Sequence, residues 1–264
     1  TRFRTVLSAD RIRSFLTTDC ADLQPGTMQV ITTSLRSYLR FRCVRHRDAV
    51  ELLLAGVPTV AKWSMATLPK RLSTTDIQQW LESFDRRNAD GRRDYAMARC
   101  LSDLGLRVCE VALLRLEDLD WSAGTVTIAT SKSRRADLLP LPTPTGRAIA
   151  DYLRRARPLT SSRFVFIRHR GPRDVPITAS LVRGAMFRAW IRSGVPGTWH
   201  GPHALRHSAA TRWLGEGMSL KQIADLVRHR SLDTTTIYTK VDFPRLASLA
   251  QPWRSDERRV GKER

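Results

Sequence analysis

Long apolar runs are absent from this 264-residue chain. No segment reaches 18 consecutive apolar residues, which excludes an ordinary membrane-spanning helix. A signal-peptide pattern is missing as well. Cysteine is scarce: Cys20, Cys43, Cys100 and Cys109 form no CxxC pair. No disulfide framework is expected from them, and the simplest setting is a reduced, intracellular one. Neither an internal repeat nor a low-complexity tract is present, so repeat arrays are excluded. Acidic residues are few, 25 against 45 Lys and Arg.

That shortage leaves a formal charge of +20. Basic residues recur from Arg2 to Arg264, and most are arginine. Such a balance suits a polyanionic partner, because each phosphate contact releases counterions from nucleic acid. Arginine favours forked phosphate contacts over simple solvation. Charge alone does not separate a nucleic-acid binder from an enzyme. An apolar content of 42% with seven tryptophans indicates a folded chain, long enough for one large domain or two smaller ones. The last stretch, 254–264, is charged and lacks an apolar face, and is expected to be a non-native or disordered tail. It holds five basic and three acidic residues, so without it the charge falls from +20 to +18.

Two regions are expected, at 1–67 and 68–253. In the first, Ser8 or Asp10 caps a helix carrying Ile12, Phe15 and Leu16. Residues 27–44 follow with Val30, Ile31, Leu35, Tyr38 and Leu39 at helical spacing. Arg36, Arg40, Arg42 and Arg45 share that stretch, so the helix can pack on one side and meet phosphate on the other. Pro58, Lys62, Pro69, Lys70 and Arg71 mark a linker. The second region reads as mainly helical, with helices near 73–84, 90–102, 143–157, 178–193, 202–215, 220–228, 231–239 and 244–250. Residues 125–130 alternate as a half-buried strand, and 138–141 make the partner across a basic turn. Phe164–Ile167 is a short strand candidate. The fold class is therefore α+β: mainly α with a small antiparallel sheet.

Three segments carry the candidate chemistry. Gly105-Leu-Arg-Val-Cys-Glu110 places Arg107 just before a new helix. His203-Ala-Leu-Arg-His207 sets His203, Arg206 and His207 within about one helical turn. Arg228-His-Arg-Ser-Leu-Asp-Thr-Thr-Thr-Ile-Tyr238 ends on an aromatic. Each has a plain reading when taken singly. Arg107 could be an ordinary surface arginine, and Tyr238 a half-buried aromatic. His203 and His207 could be metal ligands, but Ala204 stands where an HExxH glutamate would be. Residues 219–227 look like the first helix of a helix-turn-helix.

Together these segments resemble the tyrosine recombinase family of phage and mobile-element integrases. The HxLRH box is His203–His207, and the Gly-Leu-Arg-x-x-Glu opening is Gly105–Glu110. His229 lies 23 residues after Arg206, and Tyr238 nine after His229, both matching the family pattern. The resemblance runs from about Leu7 to Trp253. It implies a catalytic domain preceded by a helical core-binding domain that lacks its first helix, the two closing as a clamp on duplex DNA. It further implies that Tyr238 attacks the scissile phosphodiester, leaving a 3′-phosphotyrosyl link. His203 would accept the proton, Arg107 and Arg206 would grip the phosphate oxygens, and His229 would hydrogen-bond the phosphate. Lys132, on the basic turn, best matches the general acid, with Arg134 and Arg135 as neighbouring DNA contacts. Glu110 and His207 would support the site.

No metal and no other cofactor is implied. The implied partners are double-stranded DNA with paired recombination sites and three further copies of the chain, with no membrane. Around 243–250 the chain would dock onto a neighbouring copy, and the implied setting is a bacterial cytoplasm, at the nucleoid. One departure stands out: most relatives carry Gly immediately before the final histidine, where this chain has Arg228. A type IB topoisomerase-like enzyme, or a catalytically silent DNA-binding remnant of a mobile element, are the alternatives.

Overall fold

A computed structural model describes residues 8–43, 47–59, 71–129, 136–171 and 175–228. It divides into two compact units, Thr1–Thr67 and Leu68–Arg264.

The first unit is helical. Helix α1 (Ala9–Ser14) starts where the Ser8 hydroxyl accepts from the Arg11 amide, and it runs on as a π-helical turn over Phe15–Asp19. Helix α2 spans Pro25–Cys43 and α3 spans Arg47–Ala55. Ile12, Leu16, Leu39 and Val57 form the small core, with Met28, Ile31, Leu35, Leu53 and Leu54 packed against it. Gly56 is required by close approach: a β-carbon there would lie 2.5 Å from the Ala9 carbonyl oxygen.

The stripe expected on α2 is corrected in two places, because Val30 and Tyr38 are exposed while Leu39 is buried. Helix α3 is an addition to the expected elements. Leu53, Leu54 and Val57 recur at helical spacing, and that period is present in the sequence. Most of the expected linker lies outside the described residues.

The second unit is mainly α with one small sheet. Helix α4 (Thr74–Glu82) opens on a reciprocal cap, in which the Ser73 hydroxyl accepts from the Asp76 amide and the Asp76 carboxylate from the Ser73 amide. Helix α5 (Ala89–Asp103) follows an Asn88 cap and is buried through Ala96, Met97, Cys100 and Leu101. Helix α6 is Val108–Leu113. Strands β1 (Leu119–Asp120), β2 (Thr125–Ala129) and β3 (Ala136–Pro140) pair antiparallel in that order. Val126 opposes Leu139, and both are buried, as is Ile128. This alternation is what a sheet with one covered face requires.

Helices α7 (Thr143–Arg155), α8 (Ala179–Ser193), α9 (Pro202–Gly215) and α10 (Leu220–Leu226) complete the described part. The core gathers Trp80, Met97, Leu101, Ile149, Tyr152, Phe166 and Met186, all fully buried. Trp80 stacks on Trp199 at 6.2 Å and donates its ring N–H to the Met186 carbonyl, so the largest apolar side chain enters the core with its polar atom paired.

Several expected boundaries shift by a residue or two, and one expected strand does not form. Helix α7 begins at Thr143 as expected but ends at Arg155, short of 157, with Pro142 at its cap position and Pro144 inside the first turn. Helix α10 stops at Leu226, two residues before Arg228. Phe164–Ile167 is not a strand, and only the isolated bridges Arg115–Phe164 and Ile167–Pro176 form. Val165, Phe166 and Ile167 are buried all the same. The Arg157 guanidinium supplies part of what a ladder would, donating to the carbonyls of Ser162, Phe164 and Val165.

Candidate active site

The site is assembled around the turn between α5 and α6. Gly105 has φ +58°, the left-handed region that glycine enters without a β-carbon penalty. Its carbonyl accepts from Arg206 Nη1 at 2.6 Å. Arg206 lies on α9 and is 3% exposed. A β-carbon at Gly105 would meet Trp213, Ala209 and the Arg206 stem at 3.4–3.8 Å, ordinary contact distances, so the backbone conformation and not lack of space is what favours glycine here. Two residues on, Arg107 occupies the position that caps α6. The two motifs, about a hundred residues apart in sequence, are thereby joined by one hydrogen bond.

Arg107 is held from the inside. Glu110 accepts from its backbone amide at 2.6 Å and from Nη1 at 2.8 Å. Nη2 donates to the Arg228 carbonyl at 3.0 Å. Its side chain nevertheless keeps 35% of its surface exposed. Arg228 itself turns back: Nη2 lies 2.5 Å from Glu110 Oε2, Nε 3.4 Å from Oε1, and Nη1 donates to the Leu226 carbonyl. Burial pushes the Glu110 carboxyl up, but the Arg228 charge and the Arg107 hydrogen bonds outweigh it and hold the group below the usual glutamate range. Glu110 is therefore an ionised carboxylate shared by two guanidinium groups.

His203 and His207 project from successive turns of α9, their rings 5.9 Å apart and edge to face. The His203 residue as a whole is exposed, but partial desolvation of its ring, then the charges of Arg206 and Arg107, push its pKa down. Both arginines thus act on the same imidazole. His207 is pushed down by burial, then by His203 and Arg206. Both rings favour the neutral form near pH 7, the state in which an imidazole can accept a proton. Among the described residues, no three His, Cys, Asp or Glu side chains gather where they could share a metal ion.

The lowered histidine values have a consequence for stability. In the unfolded chain both rings take up protons near pH 6.5, whereas the folded chain resists until lower pH. The unfolded state then binds more protons, so stability falls as pH drops below about 6.5 and is fully present above it. A His203→Gln/His207→Gln double variant is expected to lose less melting temperature than the wild type between pH 7 and pH 5. An equal loss in both proteins would refute the assignment.

Arg107, Glu110, His203, Arg206 and His207 are brought together. Lys132, Arg134, Arg135, His229 and Tyr238 lie outside the described residues, as do the expected helices at 231–239 and 244–250. Of the DNA-contact candidates, Arg40 is exposed on α2, and the Arg42 side chain is outside the description. Arg36 donates to the carbonyls of Val57 and Pro58 at 3.0 Å each, so part of its fork serves the first unit's own fold. Arg228 is an addition to the expected site residues. A basic residue directly before His229, where the pattern has glycine, is the signal the sequence offers for it.

The sequence pattern of the phage integrase family matches residues 70–245. This chain belongs to that family. Among integrase-family relatives, the chain is 39% identical over 248 residues to y4rA of Sinorhizobium fredii, covering 94% of this chain and 60% of y4rA. A second protein of that organism, y4rF, is 34% identical over 231 residues, covering 86% of this chain and 54% of y4rF. The chain thus spans little more than half the length of these two relatives. The crystal structure of the XerH site-specific recombinase bound to a palindromic difH substrate is similar in fold, with a TM-score of 0.77 over 95% of this chain and 73% of that one at 20% identity. The helical second unit with its small sheet is thus the tyrosine recombinase catalytic fold. No helix among the described residues of this integrase-family chain is long and apolar enough to cross a membrane.

Proposed function

We propose that this chain is the strand-cleaving and rejoining part of a site-specific DNA recombinase acting through a 3′-phosphotyrosyl intermediate. The observation that carries the reading is that Arg206 is bonded to the Gly105 carbonyl in the turn that leads to Arg107, with the charges of both arginines acting on His203. Two guanidinium groups, one still partly open to solvent, stand beside a neutral imidazole. That arrangement suits a phosphodiester passing through a five-coordinate, more highly charged state.

In this reading the Tyr238 oxygen attacks phosphorus and its proton passes to His203. The bond from phosphorus to the 5′-oxygen breaks, and that oxygen leaves with a proton from Lys132. Attack by a 5′-hydroxyl reverses each transfer and frees Tyr238, so no water or nucleotide is consumed. Arg107 and Arg206 hold the non-bridging oxygens, His229 adds a hydrogen bond, and Glu110 and His207 orient their neighbours. No metal or other cofactor enters the scheme.

The DNA partner is duplex with paired recombination sites, acted on by four copies of the chain. The first unit, with Arg40 and Arg42, would contact the duplex, as would Arg134 and Arg135, which lie in sequence between β2 and β3. A formal charge of +20 supports a DNA partner. The setting in this reading is the bacterial nucleoid.

A covalent-capture assay tests the proposal. The full-length protein is mixed in EDTA with labelled duplexes from the flanks of its own gene, and products are separated under denaturing conditions. A detergent-resistant adduct whose peptide link maps to Tyr238 is the expected result. Tight binding to those duplexes without any adduct would leave a silent DNA-binding protein instead.

A further inference from the structure

Arg228 has a backbone φ of +52°, the one non-glycine residue in the left-handed region among those described. Glycine would enter that conformation with less strain. The side chain that takes its place is almost wholly enclosed: 4% of it is exposed, and 7% of the Glu110 side chain it meets. Enclosed like charges and unpaired charges are both costly, so the local balance matters. Arg107 and Glu110 alone sum to zero, and a carboxylate in that pair would draw the guanidinium inward and cancel its field. Arg228 changes the sum to +1. Its guanidinium also pairs with Glu110, while its carbonyl holds Arg107 Nη2.

We infer that Arg228 is a positioning residue which neutralises Glu110, so that Arg107 presents an uncancelled positive charge to a phosphate group. The inference rests on the reading of Arg107 as a phosphate-gripping residue. It adds that the grip depends on a second arginine that never touches the ligand. Glu110 is then a hinge between two cations: one is spent on it, and the other remains available.

The test uses inorganic phosphate as probe and the full-length, DNA-free protein. Binding is followed at the Arg107 side-chain Nε–H by NMR of arginine-labelled protein, assigned with Arg107→Lys. Arg228→Gly keeps a residue suited to the backbone conformation and removes the charge; its apparent Kd for phosphate is expected to rise about tenfold. Arg228→Lys keeps the charge and is expected to stay within about threefold of wild type. The decisive variant is Glu110→Gln/Arg228→Gly, which removes both charges and returns the sum to +1. Recovery to within about threefold of wild type is expected from electrostatic neutralisation.

Wild-type affinity in Arg228→Gly would overturn the inference. So would a double variant no better than Arg228→Gly, because a purely structural support is not repaired by removing its partner. If Arg228→Gly does not fold, Arg228→Gln, which removes the same charge, takes its place in both comparisons. This readout needs no cleavage. The expected phosphate pattern in a protein that forms no DNA adduct would sustain the inference and sink the recombinase reading. Adduct formation with phosphate affinity indifferent to Arg228 would do the reverse.

Discussion

Replacing Tyr238 by phenylalanine is expected to abolish the protein–DNA adduct while leaving DNA affinity within about twofold. The substitution removes one oxygen and keeps the ring, so any packing or stacking of the aromatic survives. What disappears is the only atom of that side chain able to bond to phosphorus. An ordinary tyrosine titrates near about 10 and is mostly protonated at neutral pH, so its reactivity must come from neighbours. His203 is suited to that task because desolvation and two arginine charges keep its ring neutral and able to take the proton. The measurement is adduct formation on a denaturing gel beside a filter-binding or anisotropy titration. Persistence of the adduct in the phenylalanine variant would assign the nucleophile elsewhere. The remaining tyrosines, Tyr38, Tyr95 and Tyr152, would then be examined by mass spectrometry of the linked peptide.

The second large effect is expected at Arg206. Lysine there keeps a positive charge but replaces the planar fork by a point donor. Arg206 uses Nη1 to hold the Gly105 carbonyl at 2.6 Å, and in the proposed reaction the rest of the fork faces phosphate. A lysine ammonium is poorly shaped for both tasks. Removing one preorganised donor from a developing oxyanion typically costs about 10²–10³ in rate, about 3–4 kcal/mol. Arg206→Lys is therefore expected to slow adduct formation by about 10²–10³-fold under single-turnover conditions. DNA affinity, which sums many phosphate contacts, is expected to fall by less than about fivefold. A rate loss below about tenfold in a folded variant would remove Arg206 from the proposed chemistry. Melting temperature and far-UV circular dichroism separate this outcome from unfolding, since the side chain is buried and bridges α9 to the turn before α6.

Much of the local structure is legible in the sequence. Ser8, Ser73, Thr178 and Ser219 each stand before a helical period, and each hydroxyl accepts an amide from the first turn that follows. Pro202 opens α9 at the position where a missing amide proton costs nothing. The alternation of Val126 and Ile128 marks a strand, and both are buried. Phe164–Ile167 departs from the expected strand because a short apolar run does not say who satisfies its carbonyls. Arg157 does so, from just beyond the end of α7, and no period records that. Val30 and Tyr38 depart from the expected stripe because helical spacing identifies an apolar side but not how wide a face the neighbours cover.

The candidate site divides in the same way. Gly105-Leu-Arg107, His203-Ala-Leu-Arg-His207 and the spacing to His229 and Tyr238 are readable directly, since each motif is local and its members lie within a few turns. The sequence by itself therefore determined which residues could carry the chemistry, the family, and the mainly helical class with one small sheet. Only the tertiary structure decided which charges meet. The bond from Arg206 to the Gly105 carbonyl spans 101 residues, and the pair of Arg228 with Glu110 spans 118. Such pairings have no period and no cap. They arise when the packing of α9 beside Gly105, and of α10 on α9, brings buried polar groups within reach, and burial makes an unpaired charge too costly to leave.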